Sequence, residues 1–201
     1  MKLFLPRIRY TSTHLVNISM IILLSLGSLS IVGGSFLMRK NFNKTGETET
    51  ITNLRRYREI RSQLWSNQSQ INHFPQNIPA DAKDVHLAYS PGFLQGSSYF
   101  QLRLKQPPQE IKKILLNYRG IAKNKYQGGD TNDHTNLPNG VPTTFFYTSD
   151  SAQESFPATY EILVLNAENR GTPGFKWNHG DSYGVAIDSS ASEIVYWTEV
   201  W

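Results

Sequence analysis

The sequence contains no cysteine. Disulfides, thiolate metal sites and cysteine nucleophiles are therefore excluded, and the redox compartment is left open. A basic surplus is missing from most of the chain. Residues 67–201 carry ten Lys/Arg against thirteen Asp/Glu, whereas residues 1–66 carry ten Lys/Arg against three Glu. The net charge of +4 thus comes from the first third of the chain. A basic nucleic-acid surface on the remainder is unsupported, and no nucleic-acid partner is expected. Metalloprotease spacing is also lacking, since no His-Glu-x-x-His run occurs.

Charge is wholly missing from residues 18–37, a run of 20 apolar, Ser and Gly residues. At a rise of about 1.5 Å per residue, such a helix matches the hydrocarbon thickness of a bilayer. A helix satisfies its own backbone polar groups, so it tolerates a medium without water. The run is longer than the core of a cleaved signal peptide, and Arg39-Lys40 follow it as a stop flank. A buried core helix is disfavoured because no polar face interrupts it. The reading is an uncleaved single-pass signal anchor over residues 15–38, preceded by a basic head over residues 1–14. Its partner is the lipid bilayer, through residues 18–37. Ser30 and Gly34 have the small-xxx-small spacing through which membrane helices pair, so a membrane-protein partner is also open to it. Lys/Arg residues flank both ends. Their tally beyond residue 38 favours one orientation, and the short basic head favours the other. The expectation is a soluble domain on the non-cytoplasmic side.

Residues 39–66 read as a linker followed by a basic amphipathic helix. Ile51, Leu54, Tyr57, Ile60, Leu64 and Trp65 fall near helical spacing, with Arg55, Arg56 and Glu59 on the other side. Two readings stand: a helix lying on anionic headgroups, or one packed on the domain or forming a stalk with solvated arginines.

Residues 67–201 read as one soluble domain. Val85, Leu87 and Tyr89 share a strand face, with His86 pointing away from the core. Phe100, Leu102 and Leu104 alternate with Gln101, Arg103 and Lys105, which predicts a half-exposed antiparallel strand over residues 98–105. Pro107-Pro108 and Glu110 open a helix whose stripe is Ile111, Ile114, Leu115 and Tyr118, with Gly120 as its stop. Further strands are predicted over residues 143–148, 159–167, 183–188 and 193–201, the last apolar on both faces. One good helix without βαβ alternation places the class as α+β: an N-terminal transmembrane helix, then an antiparallel sheet of about six strands with one main packed helix.

Three runs carry a resemblance: residues 73–79 (His73-Phe-Pro-Gln-Asn-Ile-Pro79), residues 89–103 around Ser90-Pro91-Gly92, and the ending Tyr183-Gly-Val-Ala186 with Glu193-Ile-Val-Tyr-Trp197. Over roughly residues 70–201 the chain resembles bacterial single-pass membrane-anchored proteins of uncharacterised function. The resemblance implies a single domain. It implies no catalytic residue and no substrate.

Two loops hold chemistry-bearing residues. Asp130, Asn132, Asp133, His134 and Asn136 offer oxygen ligands, but His134 at the fifth place and Val141 at the twelfth break the EF-hand pattern. No metal or cofactor is therefore read from the sequence. Trp177, His179 and Asp181 bring an aromatic face, an imidazole and a carboxylate within five residues. They are the candidate ligand-binding residues. The competing reading has Trp177 plugging the end of the sheet. The expected function is a membrane-tethered, non-enzymatic module binding a protein or ligand. The alternatives are an accessory subunit of a membrane complex and a hydrolase-like enzyme using His179 and Asp181.

Overall fold

A computed structural model describes residues 50–92, 96–129, 134–151 and 153–201. The anchor read at residues 18–37 lies outside them, and among the described residues no helix is long and apolar enough to cross a membrane. The chain divides into two units, and the second, Thr48–Trp201, is the one described below.

Six antiparallel strands form one sheet in the order β1-β2-β6-β5-β4-β3, so the class is α+β. They are β1 (Lys83–Ser90), β2 (Ser98–Lys105), β3 (Asn124–Gln127), β4 (Glu161–Asn169), β5 (Gly180–Asp188) and β6 (Glu193–Val200). The final strand enters the middle, between β2 and β5. Its register against β2 runs unbroken from Ser98↔Val200 to Lys105↔Glu193. That position explains why β6 is apolar on both faces: each face of a central strand is covered.

One helix, α1 (Pro108–Ile121), links β2 to β3. Pro108 occupies its first turn, where a missing N–H costs nothing, and Glu110 faces the positive end of the dipole. Ile111 and Leu115 are buried against Leu102, Leu104, Val185, Ile187 and Ile194 on the first sheet face. The helix runs through Gly120 and stops one residue later, where Ala122 turns extended and its N–H reaches Tyr118 O. Gly120 is thus not the stop that its residue type suggests.

The same face is completed by residues 54–71. A 3-10 turn (Leu54–Arg56), an α turn (Tyr57–Glu59) and a π turn (Ile60–Leu64) run on continuously. The π turn closes with Trp65 N–H donating to Ile60 O at 3.1 Å. Tyr57, Ile60, Trp65, Ile71 and Phe74 are buried in the first core. Phe74 stacks on Phe100 with ring centres 4.5 Å apart. Of the two readings for this basic stretch, the structure takes the packed one. Ile51 continues it by pairing with Tyr89 at the edge of β1.

The second face departs from expectation. Gln101 and Arg103, read as half-exposed, are buried. Residues 143–151 and 153–160 lie over them without joining the sheet. Residues 143–148 were expected as a strand, but their aromatic and β-branched side chains are used for burial instead of pairing. Gln101 takes the place of a strand partner: its Nε2 donates to Phe145 O (2.9 Å), and its Oε1 accepts from Thr148 N–H (2.9 Å). Phe146, Phe156 and Tyr160 close a second core over Ile162, Ala186 and Val195. The sixth strand is instead β3, a short polar edge that lacks any apolar alternation.

Candidate functional site

The residues read as a ligand site sit at the β4–β5 end of the sheet. Trp177 is half-buried, with φ +62° in the left-handed region. Its N–H donates to Asn169 Oδ1 (3.1 Å), its carbonyl accepts from Trp201 Nε1–H (2.7 Å), and the two indoles lie 6.4 Å apart. His179 is exposed, and its carbonyl accepts from Arg170 N–H (2.8 Å). Asp181 is buried and pairs with Arg170. Burial pushes its carboxyl above the ordinary range, against the opposing pull of the Arg170 charge and a hydrogen bond from Gln70. Among the described residues no hydrogen bond joins His179 to Asp181. The three residues are neighbours in sequence, but the structure does not aim them at one point.

A linear signal at the same place is Gly180-Asp181-Ser182-Tyr183-Gly184, which has the spacing of a nucleophile elbow. Such an elbow needs a sharp turn from strand to helix that exposes the serine. Here the whole run belongs to β5, and Ser182 is fully buried with no hydrogen-bond partner for its Oγ. The serine therefore has neither a base nor access to substrate. The cation loop fares similarly. Residues 130–133 lie outside the described residues, while His134 is buried, stacked on Tyr126 with ring centres 4.1 Å apart. Among the described residues no group of three or more His, Asp or Glu is arranged to hold a metal ion.

A cleft does form elsewhere, between α1 and the β5–β6 turn. It has two adjoining lobes of about 420 and 440 Å³ that share Leu115, Arg119 and Ser189. Such volumes fall in the range of ligand pockets. Pro108, Lys112 and Leu116 line the first lobe. Glu161, Asp188, Ser190 and Thr159 line the second, giving it a polar character. Lys112, Leu116 and Arg119 share a helix face by their i, i+4, i+7 spacing. Arg119 Nε lies 2.9 Å from both carboxylate oxygens of Glu161, which fixes the guanidinium at the junction of the lobes. Burial raises the Asp188 carboxyl, but hydrogen bonds from Ser190, Thr159 and the Ala191 N–H outweigh this and hold it below the usual range. The carboxylate therefore stays charged at neutral pH. Leu116, which lines the first lobe, is 60% exposed. The sequence carried one sign of it: Leu116 is a large apolar residue off the Ile111–Tyr118 stripe.

No family model, curated protein or solved structure matches this chain. The likeness to anchored bacterial proteins therefore rests on its three sequence runs alone.

Proposed function

We propose that this protein is a membrane-tethered binding module, held by residues 18–37 and receiving a segment of a partner protein in the α1 cleft. The observation that carries this reading is the composition of the cleft. Exposed Leu116 beside Pro108 supplies an apolar anchor point, and a fixed Arg119–Glu161 pair with Ser189 and Ser190 supplies directional polar contacts. Protein interfaces use this combination of an apolar centre and a polar surround. The buried ionisable side chains elsewhere support a structural use for them, since Asp181 and Arg103 are each bound to a partner charge and Glu193 to the Tyr160 hydroxyl.

The test places a photoreactive amino acid at position 116 of the full chain in native membranes, with the exposed Leu137 position as control. A separate sample of the same membranes is extracted with carbonate. The reading expects the chain to stay in the pellet and a discrete adduct to form at 116 but not at 137. Release of the chain by carbonate, or equal labelling from both positions, would refute it. An adduct of small mass would replace the protein partner with a small ligand.

A further inference from the structure

We infer that the N-terminal helical segment carries a binding site for a phosphate group, formed by Arg58, Arg61 and Ser62 with Gln76 and Asn77. These five residues line a cleft of about 280 Å³, remote in sequence from the α1 cleft and independent of its role. The packing of residues 54–65 creates it. Tyr57 OH donates to Pro75 O, and Arg61 Nη2–H donates to Phe74 O (3.3 Å). These bonds clamp the helical segment onto the loop that starts at Phe74. They hold two guanidiniums beside the two amide side chains of that loop.

The charge in the cleft is one-sided. Among the described residues no carboxylate lines it. Arg56, one turn away, is neutralised by Glu59 at 2.9 Å. Among the described residues, neither Arg58 nor Arg61 has a carboxylate partner. The Arg61 guanidinium is held by neutral oxygens, donating to Phe74 O and interacting with the Tyr57 hydroxyl, so its positive charge is fixed in place but not cancelled. Every described side chain lining the cleft can donate: two guanidiniums, a hydroxyl and two amides. The ligand that answers this set is a compact oxyanion with several acceptor oxygens. A guanidinium fork fits phosphate with two parallel hydrogen bonds, and the charge strengthens each of them. Ser62 Oγ–H donates to Arg58 O (2.6 Å), and its oxygen keeps lone pairs for water or another donor. On phosphate binding the hydroxyl rotates to donate to the ligand.

Such a phosphate has two sources, a phospholipid headgroup or a free phosphate. The experiment separates them. The full chain in a non-ionic, phosphate-free detergent is titrated by calorimetry at constant ionic strength. One titrant is inorganic phosphate; the other is a short-chain, water-soluble phosphatidic acid. Saturable binding of inorganic phosphate supports the site with a free anion as ligand. Saturable binding of the phosphatidic acid alone supports it with a lipid headgroup. In either case Arg58→Gln should weaken binding by about tenfold or more, a size expected for losing a charge-assisted contact. Arg55→Gln, an exposed arginine outside the cleft, should bind as the wild type does. Ser62→Ala provides a second lining variant at an exposed position, expected to weaken binding without altering the melting midpoint. Failure of both titrants to saturate would overturn the proposal. Equal weakening by Arg55→Gln and Arg58→Gln would also overturn it, because diffuse surface charge would then account for the binding.

Discussion

His73 shows how one side chain ties two parts of the molecule together. Its Nε2–H donates to the carbonyls of Gly184 (3.0 Å) and Trp197 (3.2 Å), and its ring stacks on Tyr183 at 5.4 Å. Two carbonyl acceptors fix the tautomer, so Nδ1 is the site of any second proton. That atom is buried and has no partner to receive a proton's charge. Burial accordingly lowers the pKa of His73 to about 4, against the weaker raising effect of the two carbonyls. The folded value is below the unfolded one, so the unfolded chain binds the proton first. The stabilisation is present above the unfolded value and is lost as pH falls through about 6.5 to 4. The full loss amounts to about 3 kcal/mol. Urea midpoints measured across this window should decline for the wild type and flatten for His73→Gln. Parallel declines in the two proteins would assign the slope to other groups. The position of His73 was not legible from the linear chain, since its acceptors are more than a hundred residues away. Trp177 was equally hidden. Its residue type gives no sign of a left-handed φ, which is set by the Asn169 and Trp201 contacts around it.

At the level of elements, legibility followed periodicity. The boundaries of β2 were readable because apolar residues alternate from Phe100 to Leu104, and α1 because Ile111, Leu115 and Tyr118 recur with the helical period. What covers the second face was not readable, since residues 143–160 have no repeating pattern and are held by side chains such as Gln101. Leu115, 8% exposed, and Leu116 are adjacent on α1 but differ in burial. Leu115→Ala should cost about 2–5 kcal/mol, and Leu116→Ala much less, because only the first leaves a cavity. Equal losses in thermal denaturation would contradict the placement of the helix. The 54–65 segment gives a second prediction at this scale. It supplies Tyr57, Ile60 and Trp65 to the core and the Ile51 bridge to β1. A fragment beginning at residue 48 should fold. One beginning at residue 67 exposes Phe74 and Phe100 and should melt well below it, or fail to fold. Equal melting midpoints would show that the segment is dispensable.

For the whole molecule, the fold places a basic segment, a central sheet and the α1 cleft within one unit that begins at Thr48. The charge asymmetry along the chain already separated a basic first third from a neutral-to-acidic remainder. The phosphate cleft uses arginines of the first third. The α1 cleft uses balanced charges around the apolar anchor Leu116. The cleft was not legible as a site because its residues come from α1, β3, the chain entering β4, β5 and the β5–β6 turn, which only the fold brings together. The central claim is that this cleft receives a partner, and Leu116→Glu tests it most directly. Glutamate keeps helix propensity at an exposed position, so the melting midpoint should hold. The measurement is the amount of partner recovered with the full chain from membranes in mild detergent. The account predicts that Leu116→Glu lowers recovery by about tenfold, the size expected for losing a contact at an interface centre. Recovery equal to the wild type, from a protein that melts normally, would contradict it.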